Sequence, residues 1–457
     1  MAKGVTDTQI KKFRKAFDGD STARIAQNAV SNADLSSLTL RRDLVQNMDF
    51  SFSTKLDEWS VTNQRRSGRC WLFATLNLFR VGAMKKMNVK DFEFSQAHIH
   101  FWDKLERANH FLEAIIETSD RPVDDRTIHF LLSDPIGDGG QWNMAMNLIR
   151  KHGLVPMSAY PESHSSSSTR SMNMVLKDIL RSTASEIRGV LDNGGSEKDA
   201  RRHKETRMEE IWRILCIHLG TPPEKFDWQW RDKDKEFHRK GEMTPLEFVD
   251  EYVDVDWENY VCIVNDPRNE YYQTYTVDFL QNVAGGPPVV YLNVPSDEMK
   301  VVTQRLLENG TPVWMGCDVG KQMARKKGLW DAELYDLKGL YGIDYGMGKA
   351  DRLRFGQTMM THAMLFTGVD VVDGEPRRWR VENSWGSDES GVKGFYTMND
   401  NWFDEHMFEI AAPRENLNDA MTAGLEGEPV VLPAWDPMGS LARDEVLSSD
   451  FEEIVRL

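Results

Sequence analysis

The chain has 457 residues, of which 40% are hydrophobic and 10% aromatic, enough for two or three domains or one large domain with an insertion. The net charge of −16 repels polyanions, so nucleic-acid binding is unlikely. No apolar run approaches the roughly 18 residues of a membrane-spanning helix, and the amino-terminal segment lacks the apolar stretch of a signal peptide. Four cysteines are too few for a disulfide framework, so we expect a cytoplasmic protein with free thiols.

Residues 1–50 are predicted to form an amino-terminal helical arm. Thr6 and Gln9 have the spacing of a reciprocal capping box at a helix start. Apolar residues then follow at helical spacing: Ile10, Phe13 and Phe17. The arm therefore begins with a short amphipathic helix.

Residues 51–164 are predicted to form a helical lobe. The run CWLFATLNLFRV, which begins at Cys70, is apolar on almost every side and contains no glycine or proline, as in a buried helix. A second helix is expected from Ser95 to about Phe111, and a third from Gln141 to His152. A glycine-rich loop precedes the third helix.

Residues 165–255 are predicted to form a large helical insertion, because a serine-rich polar patch marks its start and charged amphipathic segments follow. Thr244 and Glu247 form a capping box with Pro245 at the first helical position. Residues 256–425 contain short β-rich runs bounded by turn residues, typical of an antiparallel sheet. Residues 426–457 are predicted to form a carboxy-terminal arm with an extension. The fold class predicted is α+β.

Cys70 is the cysteine best placed for chemistry. It stands where the turn QRRSGRC meets a buried helix, and a helix amino terminus stabilises a thiolate. Arg65, Arg66 and Arg69 add positive charge to the same turn. The alternative is that Cys70 is a small core residue, which is how free cysteines usually behave. That interpretation applies to the other cysteines: Cys216, Cys262 and Cys317.

A thiolate nucleophile needs a base and a group that orients this base, and both can lie far away in the sequence. His362 is the best of the eleven histidines, because it lies in an apolar strand-like run that would hold its ring rigid. Taken alone, it is more often a core residue. Asn383 follows in the sequence ENSWG, where its amide oxygen can accept a hydrogen bond from the imidazole. Trp385 would cover that bond and exclude water.

These residues resemble the papain-like cysteine peptidases and, among them, the bleomycin hydrolases. The resemblance rests on TNQRRSGRCWLFA, FEFSQAHIHFWDKLERAN, GDGGQW, THAMLFTGV, VENSWG and PAWDPMGSLA, which occur in family order over about residues 50 to 442. It implies a two-lobe fold, with a helical lobe that carries the cysteine and an antiparallel β lobe that carries the histidine and the asparagine.

The resemblance also implies a role for each matching residue. Cys70 matches the nucleophile, His362 the base and acid, and Asn383 the residue that orients the imidazole. Gln64 matches the side-chain donor of the oxyanion hole, and its amide suits a fixed donor. Gly139 and Gly140 resemble the glycine pair along which a substrate backbone binds. No metal and no cofactor are expected.

The sequence departs from the papain pattern in two places. Ser67 stands where the papain signature has its first cysteine, and His362 lies much farther from Cys70 than the roughly 130 to 150 residues of that signature. The helical insertion accounts for most of this extra length.

The carboxy-terminal segment departs from the bleomycin hydrolase pattern. In that family the arm blocks the cleft, and its terminal carboxylate holds the substrate's α-amino group. Here residues 443–457 follow Ala442, so the carboxylate is available only if this piece is removed, or Asp444 or Glu445 substitutes for it. An extension without a role is equally compatible with the sequence.

Three functions follow from the sequence. The first is a cytosolic cysteine aminopeptidase acting on peptides, bleomycin-like amides and homocysteine thiolactone. The second is an endopeptidase, if the tail leaves the cleft open. The third is a catalytically silent binding or chaperone protein on the same fold. Family resemblance also implies a homohexamer.

Overall fold

The structure is a computed structural model that describes residues 3–56, 59–387 and 391–442. The predicted extension at 443–457 lies outside the described residues. Within the described ranges, no helix is both long enough and apolar enough to cross a membrane.

The helices, numbered in chain order, are α1 (Asp7–Asp18), α2 (Ser21–Val30), α3 (Leu35–Thr39), α4 (Arg42–Gln46), α5 (Cys70–Met87), α6 (Gln96–Glu117), α7 (Arg126–Ser133), α8 (Trp142–His152), α9 (His164–Ser167), α10 (Arg170–Asp192), α11 (Glu197–Leu219), α12 (Pro245–Tyr252), α13 (Ser296–Glu308), α14 (Leu337–Tyr341), α15 (Lys349–Arg354), α16 (Asp400–His406) and α17 (Asp419–Gly424). The strands are β1 (Thr54–Lys55), β2 (Phe226–Arg231), β3 (Phe237–Met243), β4 (Tyr260–Val264), β5 (Gln273–Val277), β6 (Tyr291–Asn293), β7 (Val313–Cys317), β8 (Met323–Ala324), β9 (Leu329–Trp330), β10 (His362–Val372), β11 (Glu375–Glu382), β12 (Phe395–Asn399), β13 (Met407–Pro413) and β14 (Val430–Leu432).

Helix starts follow the capping residues that the sequence indicates. Thr6 and Gln9 form the predicted capping box of α1, and Thr244 and Glu247 form that of α12. Helix α1 buries none of its residues, so its apolar side chains Ile10, Phe13 and Phe17 lie exposed.

Helix α5 is buried on almost every side. All eleven residues from Cys70 to Arg80 are buried, which agrees with the uniformly apolar sequence. The helix packs against α6, α8 and strand β10. It therefore joins the helical part of the molecule to the sheet.

The segment 165–255 is not wholly helical. Helices α10 and α11 pack against α6 around a separate apolar cluster, as predicted for the insertion. Strands β2 and β3 then form an antiparallel hairpin that the sequence analysis missed. Its alternating aromatic residues Trp228 and Trp230 face the same way and stack at 5.5 Å between ring centroids. Trp230 donates to the carbonyl of Met87 at the end of α5, which docks the hairpin on the helical lobe.

The main sheet has twelve strands in the order β14-β5-β6-β4-β13-β7-β10-β11-β12-β9-β8, with β1 paired to β10. The central strands are antiparallel, as predicted. Three pairs are parallel, namely β4 with β6, β5 with β14, and β9 with β12, so the sheet is mixed toward its ends. A sequence pattern of short strands does not distinguish these directions.

The carboxy-terminal arm returns from the sheet to the helical lobe. Strand β14 pairs with β5, a turn follows at Asp436–Gly439, and Ala442 forms an antiparallel bridge with Gly140. The arm therefore ends beside the glycine loop that precedes α8.

Candidate active site

The turn before Cys70 is closed on itself. Gln64 Nε2 donates to the carbonyl of Ser67 at 2.7 Å, and Ser67 Oγ donates to the carbonyl of Gln64 at 2.6 Å. Cys70 is the first residue of α5 and has no solvent-exposed surface. The turn thus places the Cys70 thiol at the positive end of a helix, which favours its thiolate form.

Of the three arginines in this turn, Arg69 does not add free charge beside Cys70. Arg69 is fully buried and its guanidinium donates to both carboxylate oxygens of Glu162, at 2.9 and 3.0 Å. A bidentate pair of this kind neutralises the cation. Arg65 and Arg66 are exposed to solvent. Arg69 therefore ties the turn to Glu162 and does not act as a free cation.

His362 and Asn383 are brought together from adjacent strands. His362 begins β10, and Asn383 follows the last residue of β11. The His362 Nε2 to Asn383 Oδ1 distance is 2.9 Å, so the predicted contact is present. The other ring nitrogen, Nδ1, is buried and has no hydrogen-bond partner among the described residues. Helix α5, which begins with Cys70, packs against β10. Nδ1 is therefore the ring nitrogen of His362 that is free to accept a proton from the Cys70 side.

Trp385 packs against the His362 ring. The two ring centroids are 5.1 Å apart, and only 7% of Trp385 is exposed. Arg325 also lies over the indole, with its guanidinium carbon 4.4 Å from the ring centroid. The indole therefore shields the His362–Asn383 hydrogen bond, as the sequence predicted.

The surroundings of His362 favour a neutral imidazole. Burial lowers the pKa of His362 to about 4, the hydrogen bond with Asn383 opposes this shift, and the positive charge of Arg325 adds to it. A neutral ring that donates from Nε2 to Asn383 presents Nδ1 as an acceptor.

Gln64 is fixed to the strand that carries Asn383. Its Oε1 accepts from Ser384 Oγ at 2.7 Å, and its backbone N–H donates to the Ser384 carbonyl at 2.8 Å. Ser384 N–H in turn donates to Asn383 Oδ1 at 2.8 Å. The sequence analysis missed Ser384, although it lies between Asn383 and Trp385. A short polar residue between two site residues is the signal that identifies it.

Glu382 anchors the end of β11 to α5. It is fully buried and accepts from Arg80 at 2.9 Å, from Asn77 at 3.0 Å and from Trp59 at 2.6 Å. Burial raises the pKa of Glu382 against the lowering influence of Arg80. These bonds connect the residue before Asn383 to the helix that begins with Cys70. A glutamate at the end of a strand, directly before Asn383, is the sequence signal that was overlooked.

Asp138 holds the glycine loop against the Cys70 turn. Its carboxylate accepts from the backbone N–H of Gly68 at 3.1 Å, from Lys104 at 2.6 Å, from Asn173 at 2.7 Å and from Thr169. Trp71 Nε1 donates to the Asp138 carbonyl at 2.7 Å. Burial opposes its negative charge, but Lys104 and these donors hold the pKa of Asp138 well below its usual value.

The predicted glycine pair is partly occupied by the chain itself. Gly140 N–H donates to the Ala442 carbonyl at 3.1 Å, and Ala442 N–H donates to the Gly140 carbonyl at 3.2 Å. A Cβ at Gly140 would lie 2.4 Å from the Trp71 ring, so only glycine fits there. The Gly139 carbonyl accepts from Arg107 at 2.8 Å. The arm therefore uses the edge that a peptide backbone was predicted to use.

One cluster of the described residues has the spacing of a metal site, and it lies on the β2–β3 turn. It consists of Asp232, Glu236 and His238. Asp232 already accepts from the backbone of the turn and from His238 at 3.0 Å. The cluster is explained by the turn and carries no function here.

Comparisons with known proteins identify the family of this chain. The model of the Peptidase C1-like family matches residues 4–439. Bleomycin hydrolase of Homo sapiens is 42% identical over 453 residues, which cover 96% of this chain and 99% of the relative. Aminopeptidase C of Lactococcus lactis is 42% identical over 442 residues, which cover 96% of this chain and 100% of the relative.

A solved structure is also similar to this chain over most of its length. The crystal structure of PepW from Lactobacillus rhamnosis superposes with a TM-score of 0.94 at 39% sequence identity, covering 97% of this chain and 100% of PepW. With a papain-type fold and relatives over its whole length, the chain belongs to the Peptidase C1-like family and is a cysteine peptidase related to bleomycin hydrolase and aminopeptidase C.

Proposed function

We propose that the chain is a thiol aminopeptidase that removes amino-terminal residues from short peptides through an acyl-enzyme on Cys70. The observation that carries this proposal is the backbone pairing of Ala442 with Gly140, because it fills the cleft on the side where a long substrate would continue. The buried His362–Asn383 pair supports the thiol chemistry.

The chemistry proceeds in two halves. His362 Nδ1 takes the proton of the Cys70 thiol, and the thiolate attacks the carbonyl carbon of the scissile amide. The carbon–nitrogen bond then breaks as His362 returns the proton to the leaving amine, which leaves a thioester. A water molecule gives a proton to His362, its oxygen attacks the thioester, and the proton returns to the Cys70 sulfur as the acid is released.

The negative charge that develops on the carbonyl oxygen needs donors fixed before the reaction. The Gln64 amide is held at both ends, by Ser67 through its nitrogen and by Ser384 through its oxygen. We assign it to the oxyanion hole with the Cys70 backbone N–H. Asn383 keeps the imidazole in the orientation and tautomer that the first step requires.

The arm determines where the peptide is cut. A substrate backbone that approaches Cys70 along Gly140 meets Ala442, so little of the chain before the scissile bond can be accommodated. Substrates with a free amino group fit this space, and substrates with a bulky blocking group do not. Gly139 would then border the same short subsite.

The proposed substrates share a carbonyl group that a thiolate can attack. They are short peptides, amide-bearing compounds such as bleomycin, and homocysteine thiolactone, whose reactive carbonyl a thiolate attacks in the same way. We propose that the enzyme works in the cytoplasm as a homohexamer. The exposed apolar face of α1 supports subunit contacts, since such faces mark interaction sites. A monomer by light scattering would refute the hexamer.

A second candidate is an endopeptidase on the same fold. It is favoured only if the acidic segment 443–457, which lies outside the described residues, displaces the arm from Gly140. A silent binding protein has no supporting observation, since the sequence keeps Gln64, Cys70, His362 and Asn383.

The test uses one fluorogenic peptide with a free amino group and the same peptide with its amino group blocked. Each is assayed with and without a thiol-alkylating reagent, and the intact mass of the protein is measured. Preferential, alkylation-sensitive cleavage of the free-amino peptide supports the proposal, and a mass ending near Ala442 or Arg443 shows that the tail has been trimmed. Equal cleavage of the blocked peptide identifies an endopeptidase, and cleavage of neither supports the silent protein.

A further inference from the structure

A partly buried arginine, Arg268, binds the carboxy-terminal arm to the body. Arg268 Nη2 donates to Asp436 Oδ1 at 2.7 Å and to Asp266 Oδ2 at 2.6 Å, so one guanidinium bridges two carboxylates. Nε completes the fork to Asp266 at 2.9 Å. The three side chains are 11%, 15% and 5% exposed for Arg268, Asp436 and Asp266. Arg268 therefore forms a charge-assisted bridge that water largely does not reach.

The Arg268 side of this bridge is rigid. Asp266 follows strand β4, and its backbone N–H donates to Asn293 Oδ1 at 2.8 Å, while Asn293 Nδ2 donates back to the Asp266 carbonyl at 3.0 Å. Asn293 is fully buried in β6. The position of the guanidinium is thus set by the sheet and not by the arm.

The Asp436 side of the bridge shapes the arm. Asp436 Oδ1 also accepts from the Met438 N–H at 2.9 Å, which closes the turn Asp436–Gly439. The chain then reaches Ser440, whose carbonyl accepts from Gln141 Nε2, and Ala442 on Gly140. One turn therefore separates the ion pair from the residue that occupies the cleft.

A second contact holds Trp435, the residue before Asp436. Arg126 at the start of α7 lies over Trp435, with its guanidinium carbon 4.1 Å from the ring centroid. The contacts of Trp435 and Asp436 therefore hold the arm just before it enters the cleft. Cation–π contacts of this kind are weaker than a buried bidentate ion pair.

We propose that Arg268 is the positioning residue that sets the choice between free-amino and blocked substrates, by holding Asp436 and hence the arm in the cleft. Arg268 acts through the arm and does not touch the reacting atoms. This inference rests on the proposed aminopeptidase function and names the residue pair on which its specificity depends.

The experiment compares Arg268→Gln, Asp436→Asn and the unaltered enzyme on the free-amino and blocked peptides. The charge-assisted hydrogen bond between Arg268 and Asp436 favours the arm position in the cleft over a displaced position. Its loss should change the ratio of these two populations by about tenfold or more. We expect the rate on the blocked peptide relative to the free-amino peptide to rise by about that factor in both variants. KM for the free-amino peptide should rise while kcat stays within about threefold.

Arg150→Gln is the matched control. Arg150 also donates to both oxygens of a carboxylate, Glu258, at 2.9 and 2.6 Å, and lies over a tryptophan, Trp257, but it is far along α8 from the arm. In Arg150→Gln, the rate on the blocked peptide relative to the free-amino peptide should equal that of the unaltered enzyme. Arg268→Lys should restore part of the selectivity, because lysine keeps the charge but cannot span both carboxylates.

Hydrogen exchange gives a readout that is independent of catalysis. If Arg268→Gln does not fold, Asp436→Asn alone decides, since it keeps the size of the side chain. Faster exchange confined to the segment around 436–442, together with the changed ratio, supports the inference. An unchanged ratio in a folded Asp436→Asn enzyme overturns it and leaves the aminopeptidase function intact. An unaltered enzyme that does not prefer the free-amino peptide refutes the proposed function itself.

Discussion

Ser384 Oγ donates a hydrogen bond to Gln64 Oε1 at 2.7 Å, and this bond joins the two halves of the candidate site. Gln64 belongs to the turn before Cys70, and Ser384 follows Asn383 on the sheet. The orientation of the proposed oxyanion donor is therefore set by the same loop that orients His362. The donor and the base are positioned together and not by separate parts of the molecule.

Replacing Gln64 with alanine should lower kcat by about 100-fold to 1000-fold, the usual cost of one oxyanion donor. Ser384→Ala should lower kcat less, by about tenfold, because the Gln64 amide remains and keeps its hydrogen bond to the Ser67 carbonyl. Gln304→Ala is the control, since the Gln304 side chain donates to exposed Glu308 on α13. A twofold loss in Gln64→Ala would show that another group serves the oxyanion.

Cys70→Ala should abolish turnover, with kcat/KM reduced by at least about 10⁴-fold, because no other group can form the thioester. The fold should persist, since sulfur is replaced by hydrogen in a buried position. Cys216→Ala should retain activity, as Cys216 is only half-buried and lies on α11 in the insertion. Stopped-assay rates and circular dichroism on both variants decide the matter. Turnover by Cys70→Ala at the normal rate would remove Cys70 from the mechanism.

Asn383→Ala should lower kcat by about tenfold to 100-fold with little effect on KM, because the imidazole loses its orienting partner but keeps its place on β10. Asn259→Ala is matched in residue type and loses an exposed contact with Glu415 instead. Steady-state kinetics separates the two constants. An equal loss of activity in both variants would point to destabilisation and not to the orientation of His362.

The sequence predicted the elements that carry the site better than it predicted the connections between them. The start of α5 at Cys70, the strand at His362 and the contact with Asn383 are all present, because each depends on local pattern or on one short motif. The β2–β3 hairpin was missed, since its aromatic alternation is short and lies between charged helices. The roles of the site residues remain predictions.

The long-range ties could not be read from the chain. Arg69 was counted as free charge near the thiol, but its pairing with Glu162 depends on how two distant segments fold together. The same holds for Arg268 and Asp436, which lie on different elements of the final structure. The local sequence does not show which charged residues will form ion pairs in the folded protein.

Asp138→Asn should destabilise the protein by about 3 to 5 kcal/mol, the usual cost of breaking a buried ion pair by removing one partner, here leaving Lys104 uncompensated. The glycine loop and the Cys70 turn should loosen together, because Gly68 and Lys104 share this carboxylate. Asp344→Asn, which affects an exposed pair with Lys338, should leave the free energy of unfolding almost unchanged, because solvent screens such a pair. Urea titration of the two variants measures the difference. Equal stability would show that Asn173 and Thr169 suffice to hold the loop.

Acidification should destabilise the fold through its buried histidines. Burial lowers the pKa of His98 to about 3, that of His362 to about 4 and that of His406 to about 2. The unfolded chain takes up these protons near pH 6.5 and the folded chain does not, so the free energy of unfolding falls as the pH drops from about 6.5 toward 4. Burial raises the pKa of Glu409 to about 8, which opposes this trend.

His98→Gln isolates one of these groups. The glutamine oxygen can accept the Trp102 indole N–H that His98 accepts at 3.1 Å, and glutamine does not titrate. Between pH 6.5 and 4 the variant should lose about 3 kcal/mol less of its free energy of unfolding than the unaltered protein, since each pKa unit corresponds to about 1.4 kcal/mol. His164→Gln, at an exposed position, should reproduce the unaltered pH profile. Thermal unfolding at half-unit pH intervals gives the three curves, and identical slopes for His98→Gln and the unaltered protein would mean that His98 is protonated in the folded state.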